Sequence, residues 1–493
     1  MKKLISLVLA ALLLLSLCAC SSGSGNNSGT NAATEPKASF MAGYGKVDIT
    51  PENYGVPMNG YGNQDTRLST GLGSYIYAIA LAITDVEGNT AIMMAVDSCG
   101  VAASVCSDVR NWAKNNHDIP TENVIIASLH QHSSPESTAG NYQQQLTAGM
   151  KEAIETALED RAPAEMYFNW VETEALSFVR RYWLNDGGHV TSHSCTGDRA
   201  SGFARYESEA DKEMRLVKFT REDKEDIIMV NFQGHPHMGT SSAETEIHSD
   251  WPGAMRDAVT EQLGVNCLYF SGAGGNMNSS SSCAEHNITQ PKTDFRQHGK
   301  RAAEYVVKAE DSYVKGEPGL IVCREEQLTY DADHRLDHLL PQAVIINDCK
   351  SRDGIDAAKE LLKQYPELNS HFQASAIVNK SKNGPTANSV MYVITCGDLA
   401  FTGHPHETFD TNGKELREGT VGNMNYALED QLENPFTMTV VASIANGSLG
   451  YVPSAEGYKN GGYESDTTKF AEGTGELMVG DYLHALNDIY NAR

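Results

Sequence analysis

Downstream of Ala38 the chain reads as short apolar runs separated by polar, turn-forming segments, without a strict strand–helix alternation. Tyr75 to Thr84 and Thr90 to Val96 flank Asp85-Val86-Glu87-Gly88-Asn89, which predicts a β-hairpin. Strands are also expected over Asn123 to Ser128, Ile227 to Gln233, Cys267 to Ser271 and Met438 to Ile444, with two further pieces across Met391 to Thr402 around Gly397-Asp398. Helical spacing of apolar residues predicts helices over Ser104 to Asn115, Gln145 to Glu159, Ser249 to Gly264, Ala357 to Tyr365 and Thr474 to Tyr490. The Ser249 helix opens with a capping Ser or Asp and carries Pro252 in its first turn. These elements imply an α/β fold of mixed, layered β-sheets flanked by helices. No internal repeat and no Pro/Gly-rich linker interrupts residues 38–493, so one large domain is expected there.

The N-terminus breaks this pattern. Lys2 and Lys3 precede an apolar run from Leu4 to Leu17 that is too short to cross a bilayer as a helix. Leu17-Cys18-Ala19-Cys20 then resembles a bacterial lipobox, so residues 1–19 are expected to be a lipoprotein signal peptide and Cys20 the lipidated residue. The plainer alternative is an ordinary secretory signal. Residues 20–37, rich in Ser, Gly and Asn, read as a flexible tether. The expected location is the outer face of a bacterial membrane, with the domain anchored as a lipoprotein.

Charge narrows the partners. Against 38 Lys and Arg stand 64 Asp and Glu, a formal net charge of -26. So acidic a chain argues against nucleic acid and against electrostatic docking on anionic lipid. Beyond the leader the cysteines form no Cys-x-x-Cys pair, which excludes a thiolate zinc cluster of that kind. Cys99, Cys267 and Cys396 lie in strand-like runs and read as small core residues; the disulfide pairing stays open.

The candidate chemistry lies in the histidines. His130-Gln131-His132, His235-Pro236-His237 and His404-Pro405-His406-Glu407 each follow an expected strand. On an extended chain, residues i and i+2 share a face, so each pair can address one site. Imidazole and carboxylate are usual zinc ligands, and loops at strand ends are where such folds place sites. Ordinary hydrogen-bonded loop histidines are the alternative for any one pair.

Longer motifs carry a family resemblance. Gly43-Tyr44-Gly45-Lys46-Val47-Asp48-Ile49-Thr50-Pro51 with Asn59-Gly60-Tyr61-Gly62, Ser128 to Pro135, Asn231 to Pro236, Ser249-Asp250-Trp251-Pro252-Gly253, Ser271 to Asn278, Gly403-His404-Pro405-His406-Glu407 and Asn446 to Tyr451 with Tyr458 and Tyr463 follow one another in the order of the neutral ceramidase catalytic domain, which this chain resembles. The resemblance implies one zinc ion per chain held by His130, His235, Glu407 and Tyr451. It places His132, Arg180 and Tyr463 at the substrate as acid/base or oxyanion-binding groups. It implies hydrolysis of the amide bond of ceramide or a related N-acyl substrate by a zinc-activated water. The partners implied are a small-molecule or lipid substrate, the membrane through lipidated Cys20, and no nucleic acid.

The chain departs from the family pattern in three places. The serine of the family's Gly-Asp-Val-Ser-Pro falls on Asn278 within Gly275-Asn276-Met277-Asn278-Ser279, with Ser279 one residue away. Val179 stands where the family has the Asn of an Asn-Arg pair. The sequence ends at Arg493, where larger ceramidases continue into an immunoglobulin-like domain. Two other readings follow: a non-catalytic ligand-binding surface lipoprotein on the same fold, or a zinc hydrolase acting on a different amide or ester. A metal-dependent phosphatase would call for more metal-binding carboxylates. Among neighbouring residues, Asp250 is expected to cap its helix or orient a ligand histidine. Asp97 is expected to support the site or a turn, and Gly272 to Gly275 to offer N–H groups to an oxyanion. His237, His404 and His406 read as exposed or hydrogen-bonding, and Arg181 and Trp183 as packing near the cleft rim.

Overall fold

The strand Tyr77–Thr84 shows how the layers are built. Its Ala78, Ala80 and Ala82 face helices, while Ile79, Leu81 and Ile83 face a second sheet. A strand buried on both faces needs small groups on one side and large groups on the other. In the computed structural model, described for residues 39–174, 176–191, 200–279, 294–382, 384–419 and 432–493, this strand lies inside a nine-stranded mixed sheet. The expected signal peptide, tether and Cys20 lie outside the described residues, as do Cys195 and Cys283. Residues Ala38–Arg493 form one compact unit.

The strands that matter here are β1 (Met41–Asp48), β2 (Tyr77–Thr84), β3 (Thr90–Val96), β4 (Val124–Ser128), β5 (Ala162–Glu172), β6 (Ser177–Val179), β7 (Glu213–Arg221), β8 (Ile227–Phe232), β9 (Asn266–Ser271) and β10 (Met277–Ser279). The large sheet runs β9-β8-β7-β5-β1-β2-β3-β4, with Val314–Gly316 beside β5. Its end pairs, β3–β4 and β8–β9, are parallel, while β1–β2, β2–β3 and β7–β8 are antiparallel. The second sheet comprises β11 (Ile321–Asp331), β12 (Thr386–Cys396), β13 (Leu399–Gly403) and, after the short β14 (Glu407–Thr408), β15 (Met438–Ala442), in the order β11-β12-β13-β15. The strand β16 (Tyr451–Val452) pairs with β14.

Three apolar clusters hold the layers together. Helices α1 (Ala103–His117) and α2 (Gly140–Glu159) cover one face of the large sheet. The β2–β4 side chains of its other face pack on Ile394, Cys396, Phe401 and Val440 of the second sheet, with Phe270 and Phe401 edge to face at 4.8 Å. The outer face of the second sheet, through Val393, Ala400 and Val441, is covered by the C-terminal helix Thr474–Asn491. The opening motif Gly43-Tyr44-Gly45 has a packing role. A Cβ at Gly43 or Gly45 would lie 2.1 Å from the carbonyl oxygens of Ala157 or Ala153, so α2 rests directly on the β1 backbone.

Most expected elements are present. The hairpin is β2–β3, and the Ser104 helix is Ala103–His117. The Gln145 helix begins earlier, at Gly140, and the Ala357 helix lies at Ile355–Leu362. Strands β1, β5, β7 and β11 are not among the expected elements. Strand β11 is charged and largely exposed, and it is held by the full-length register against β12 rather than by apolar content. The α3 helix (Asp250–Leu263) has Ser249 at its N-cap, but that side chain makes no capping bond.

Candidate functional site

Strands β4, β8 and β13 deliver the three His-bearing loops. Leaving β4, the chain turns at His130, which adopts φ +71° and donates its N–H to the Ser98 carbonyl. The i, i+2 argument therefore gives the right pairing for a different reason: a left-handed turn, not an extended face, brings the His130 and His132 rings to 5.0 Å. His235, after β8, is fixed by its N–H to Met277 O and by a bridge to Asn278. Glu407 is set by the β14–β16 register, in which it lies opposite Tyr451.

Glu407 Oε2 lies 3.1 Å from Nε2 of both His130 and His235. Both Nδ1 atoms face carbonyl oxygens: Cys99 O at 2.7 Å for His130, and Gly274 O at 2.9 Å and Met277 O at 3.0 Å for His235. Those acceptors place the ring proton on Nδ1, so each Nε2 lone pair points at the carboxylate. Two nitrogen lone pairs and an anionic oxygen, their ligand atoms within 4.8 Å of one another, form a group that could hold a metal ion. Protonation equilibria show the same demand for positive charge. Burial pulls His130 down, but the Glu407 carboxylate outweighs it and holds the imidazole well above its usual range. Burial raises Glu407, but His130 and His235 hold it well below the usual carboxylate range. His235 is lowered by burial and by the Arg180 guanidinium.

Arg180 comes from the segment after β6. That strand pairs with β10, Met277 opposite Val179 and Asn278 opposite Phe178. Arg180 is buried and donates to Glu464 Oε1 at 2.7 Å, to Gly275 O at 2.7 Å and to the Tyr451 hydroxyl at 3.2 Å, with Asn278 Oδ1 at 3.5 Å. The Tyr451 phenol is raised by burial and by Glu407, and the Tyr463 ring stands edge-on to it at 5.6 Å. His132 has both ring nitrogens buried without a hydrogen-bond partner, and burial with the neighbouring His130, His237 and His235 holds it well below the usual imidazole range. His130, His132, Arg180, His235, Glu407, Tyr451 and Tyr463 line one cleft of about 1480 Å³. Asn278 is fully buried beside it. Ser279 does not stand in for the family serine, because its hydroxyl donates to His235 O at 2.8 Å.

Several expectations change. Of the two roles expected for His404 and His406 the hydrogen-bonding one holds, in buried positions: Thr408 Oγ1 lies 3.2 Å from His404 Nε2, Ser389 Oγ lies 2.7 Å from His406 Nε2, and the His406 ring packs on Phe470. The histidines of the third His-x-His are thus core, and of that motif Pro405 and Glu407 reach the cleft. Asp97 forms a buried ion pair with Arg256, donated at 2.7 and 2.6 Å, and is committed to structure. Asp250 accepts from the N–H groups of Met238, Gly239 and Trp251, so it braces the loop after His237 and does not cap α3 as Ser249 would. Gly272 N–H and Gly275 N–H donate to Phe232 O and Thr408 O and are not available to an oxyanion. Arg181 lies beneath the site, paired with Glu207 and Glu464, while Trp183 packs on the cleft residue His189. Cys267 and Cys396 are core residues, but Cys99 also lines the cleft, its Sγ 3.8 Å from His130 Nδ1. Glu464, which clamps both arginines, was not singled out in the sequence. Its only signal there is its place directly after Tyr463.

Comparison with known proteins agrees with this arrangement. Residues 40–264 match the family model described as neutral/alkaline non-lysosomal ceramidase, N-terminal. The chain is 26% identical to neutral ceramidase 2 of Arabidopsis thaliana over 199 residues, 36% of this chain and 24% of that protein. It is 25% identical to neutral ceramidase of Oryza sativa subsp. japonica over 252 residues, 46% of this chain and 30% of that one. The matches thus span less than a third of either relative's length. The fold is shared with the crystal structure of neutral ceramidase from Pseudomonas aeruginosa at a TM-score of 0.64 and 18% identity, covering 92% of this chain and 75% of that one. It is shared equally with a ceramidase complexed with C2, at a TM-score of 0.65 and 17% identity over 92% of this chain and 76% of that one. Residues 40–264 thus resemble the N-terminal part of the neutral/alkaline non-lysosomal ceramidases, and residues across most of the chain share the fold of the solved neutral ceramidase.

Proposed function

We propose that this protein is a zinc-dependent amide hydrolase that cleaves ceramide or a related N-acyl substrate with water, at the outer face of a bacterial membrane to which Cys20 anchors it. The observation that carries the reading is the convergence of His130 Nε2 and His235 Nε2 on Glu407 Oε2 inside a substrate-sized cleft. The matched family and the shared fold support it.

His130, His235 and Glu407 would hold the cation, with Tyr451 beside Glu407 in register as a fourth ligand. Such an ion, when bound, polarises a carbonyl and brings the pKa of a coordinated water to about 7. The chain's own groups supply the rest. Arg180, held by Glu464 and Gly275 O, directs its remaining donor capacity toward Tyr451 and stabilises negative charge developing on the substrate carbonyl oxygen. His132 is buried, neutral and unpartnered, which suits it to take a proton from water and return it to the leaving amine. Tyr463, edge-on to Tyr451, offers a further hydroxyl in the cleft. Asn278, replacing the family serine, has no nucleophilic oxygen, so attack by water is the route this set of residues supports. The asparagine also leaves room for amides other than ceramide.

The test is zinc content and turnover of a fluorescent N-acylsphingosine, read together in the wild type, His130→Ala and Glu407→Ala. One zinc per chain, lost in both variants along with turnover, supports the reading. Zinc without turnover of any amide would favour a ligand-binding lipoprotein on this fold.

A further inference from the structure

Strands β11 and β12 carry a second cavity beside the cleft. Their cross-strand pair Gln327 and Val390, together with Leu449 from the loop before β16, borders the cleft on one side. The same three residues border a cavity of about 470 Å³ on the other. Cleft and cavity therefore adjoin along them. Beyond this sill the cavity is lined by Thr386, Asn388, Lys382 and Lys469, and none of its lining residues is a carboxylate. Glu325, two residues before Gln327 on β11, lines the cleft and is bound by Arg110.

The chain has 64 acidic side chains against 38 basic ones, so a cation has many carboxylates to choose from. Arg180, Arg181, Arg256 and Lys380 each hold one. Among the described residues, the partners of the two cavity lysines are neutral: Lys469 Nζ donates to Asn388 O at 3.2 Å, and Lys382 Nζ to Asn379 Oδ1 at 3.5 Å. Lys469 is half-buried, its Nζ 5.0 Å from the centre of the Phe470 ring, and burial alone lowers its ammonium below the usual lysine range. A cation drawn out of water without a counterion costs stability, and an ammonium has three donors to offer. The position is fixed from both sides. Phe470 is core, the Asp333 N–H donates to Lys469 O at 2.9 Å, and the Asp333 carboxylate accepts from Lys380 Nζ at 2.8 Å, two residues before Lys382.

We propose that this cavity is an anion site: Lys469 and Lys382 receive the carboxylate or phosphate of a ligand that extends over the Gln327–Val390 sill from the cleft. The molecule hydrolysed then carries an acidic group on one side of its amide. That last step rests on the hydrolase reading; the anion site does not. Charge-assisted bonds from two ammonium groups would give the lysines the counterion that the chain withholds.

The test uses the full chain as wild type, Lys469→Gln, Lys469→Arg and Lys382→Ala, with binding read by titration calorimetry. The probes are hexanoyl compounds that end in a carboxylate, a phosphate or a neutral carboxamide, on a short or a long linker. A ketone replaces the scissile amide, so water cannot cleave them. On the linker that spans the sill, an anionic end is expected to bind about tenfold tighter than the carboxamide. Lys469→Gln should abolish that preference, Lys469→Arg should keep most of it and Lys382→Ala should lose part. Carboxamide binding should change less than about twofold throughout. The tighter anion names the source, an amino-acid carboxylate or a phosphorylated amine. Equal binding of all three ends, a preference that survives Lys469→Gln, equal weakening of charged and neutral probes, or a wild type that binds none would overturn the proposal. Turnover of the matching amides separates the two claims. Lys469-dependent anion binding without hydrolysis keeps the site and sinks the hydrolase. Hydrolysis without a Lys469-dependent preference keeps the hydrolase and sinks the site.

Discussion

His235-Pro236-His237 and His404-Pro405-His406 have the same sequence pattern and the same position after a strand, yet they end in different environments. In the first, His235 spends Nδ1 on two carbonyl oxygens and aims Nε2 at Glu407 in the cleft. In the second, both Nε2 atoms are taken by hydroxyls, Thr408 for His404 and Ser389 for His406, and the rings pack among Phe470 and Tyr482. Spacing places two imidazoles near one another. The hydrogen-bond partner of each ring then decides whether the histidine is available as a ligand or is a neutral part of the core.

The largest expected effect comes from breaking the first loop. His235→Ala should remove the bound metal and lower turnover at least about a thousandfold, with a folded protein by circular dichroism. Breaking the second loop should do the opposite. His406→Ala should keep full metal content while costing about 2–3 kcal/mol of stability, seen in denaturant unfolding, because it leaves a cavity and an unpaired Ser389 hydroxyl. A metal-free His406→Ala would erase the distinction between the loops.

Acid should sharpen the contrast further. Burial lowers His404 to about 4, below the unfolded value of about 6.5. A depressed folded pKa means the unfolded chain binds the proton first as pH falls. The stability from neutral His404 is therefore complete above about 6.5 and is lost on the way down to about 4, by about 3 kcal/mol. His404→Phe should flatten the acid limb of the stability profile between those values; an unchanged limb would contradict the assignment. Smaller still is the effect expected beneath the site. Glu464→Gln should retain metal and lower kcat about tenfold to a hundredfold with little change in KM, since one clamp on Arg180 is weakened while its Gly275 contact persists. Glu464→Asp should recover part of that loss. Ser279→Ala should change turnover less than about twofold, because its hydroxyl serves the His235 backbone.

Much of this was legible in the sequence, for physical reasons that differ from place to place. The β2–β3 hairpin was readable because apolar runs flank a turn, and α1 because its apolar face has helical spacing. Strand β11 was not, because its side chains are mostly polar and its register against β12 holds it in the sheet. The family motifs named the residues that converge: His130, His235, Glu407, Tyr451, His132, Arg180 and Tyr463 line one cleft. They did not reveal Glu464, whose role depends on two arginines far away in sequence, nor that Arg181 and Asp97 are consumed by buried ion pairs. Local spacing carries no information about such partners. The Gly272–Gly275 run was ambiguous for the same reason, since the N–H groups of Gly272 and Gly275 are claimed by Phe232 and Thr408, which the local sequence does not mention.

The most direct test of the central claim is a crystal structure of the zinc-loaded protein with anomalous scattering collected across the zinc edge. The account predicts one anomalous peak per chain between His130 Nε2, His235 Nε2 and the Glu407 carboxylate. A peak at His404 and His406, or none within reach of Glu407, would contradict it.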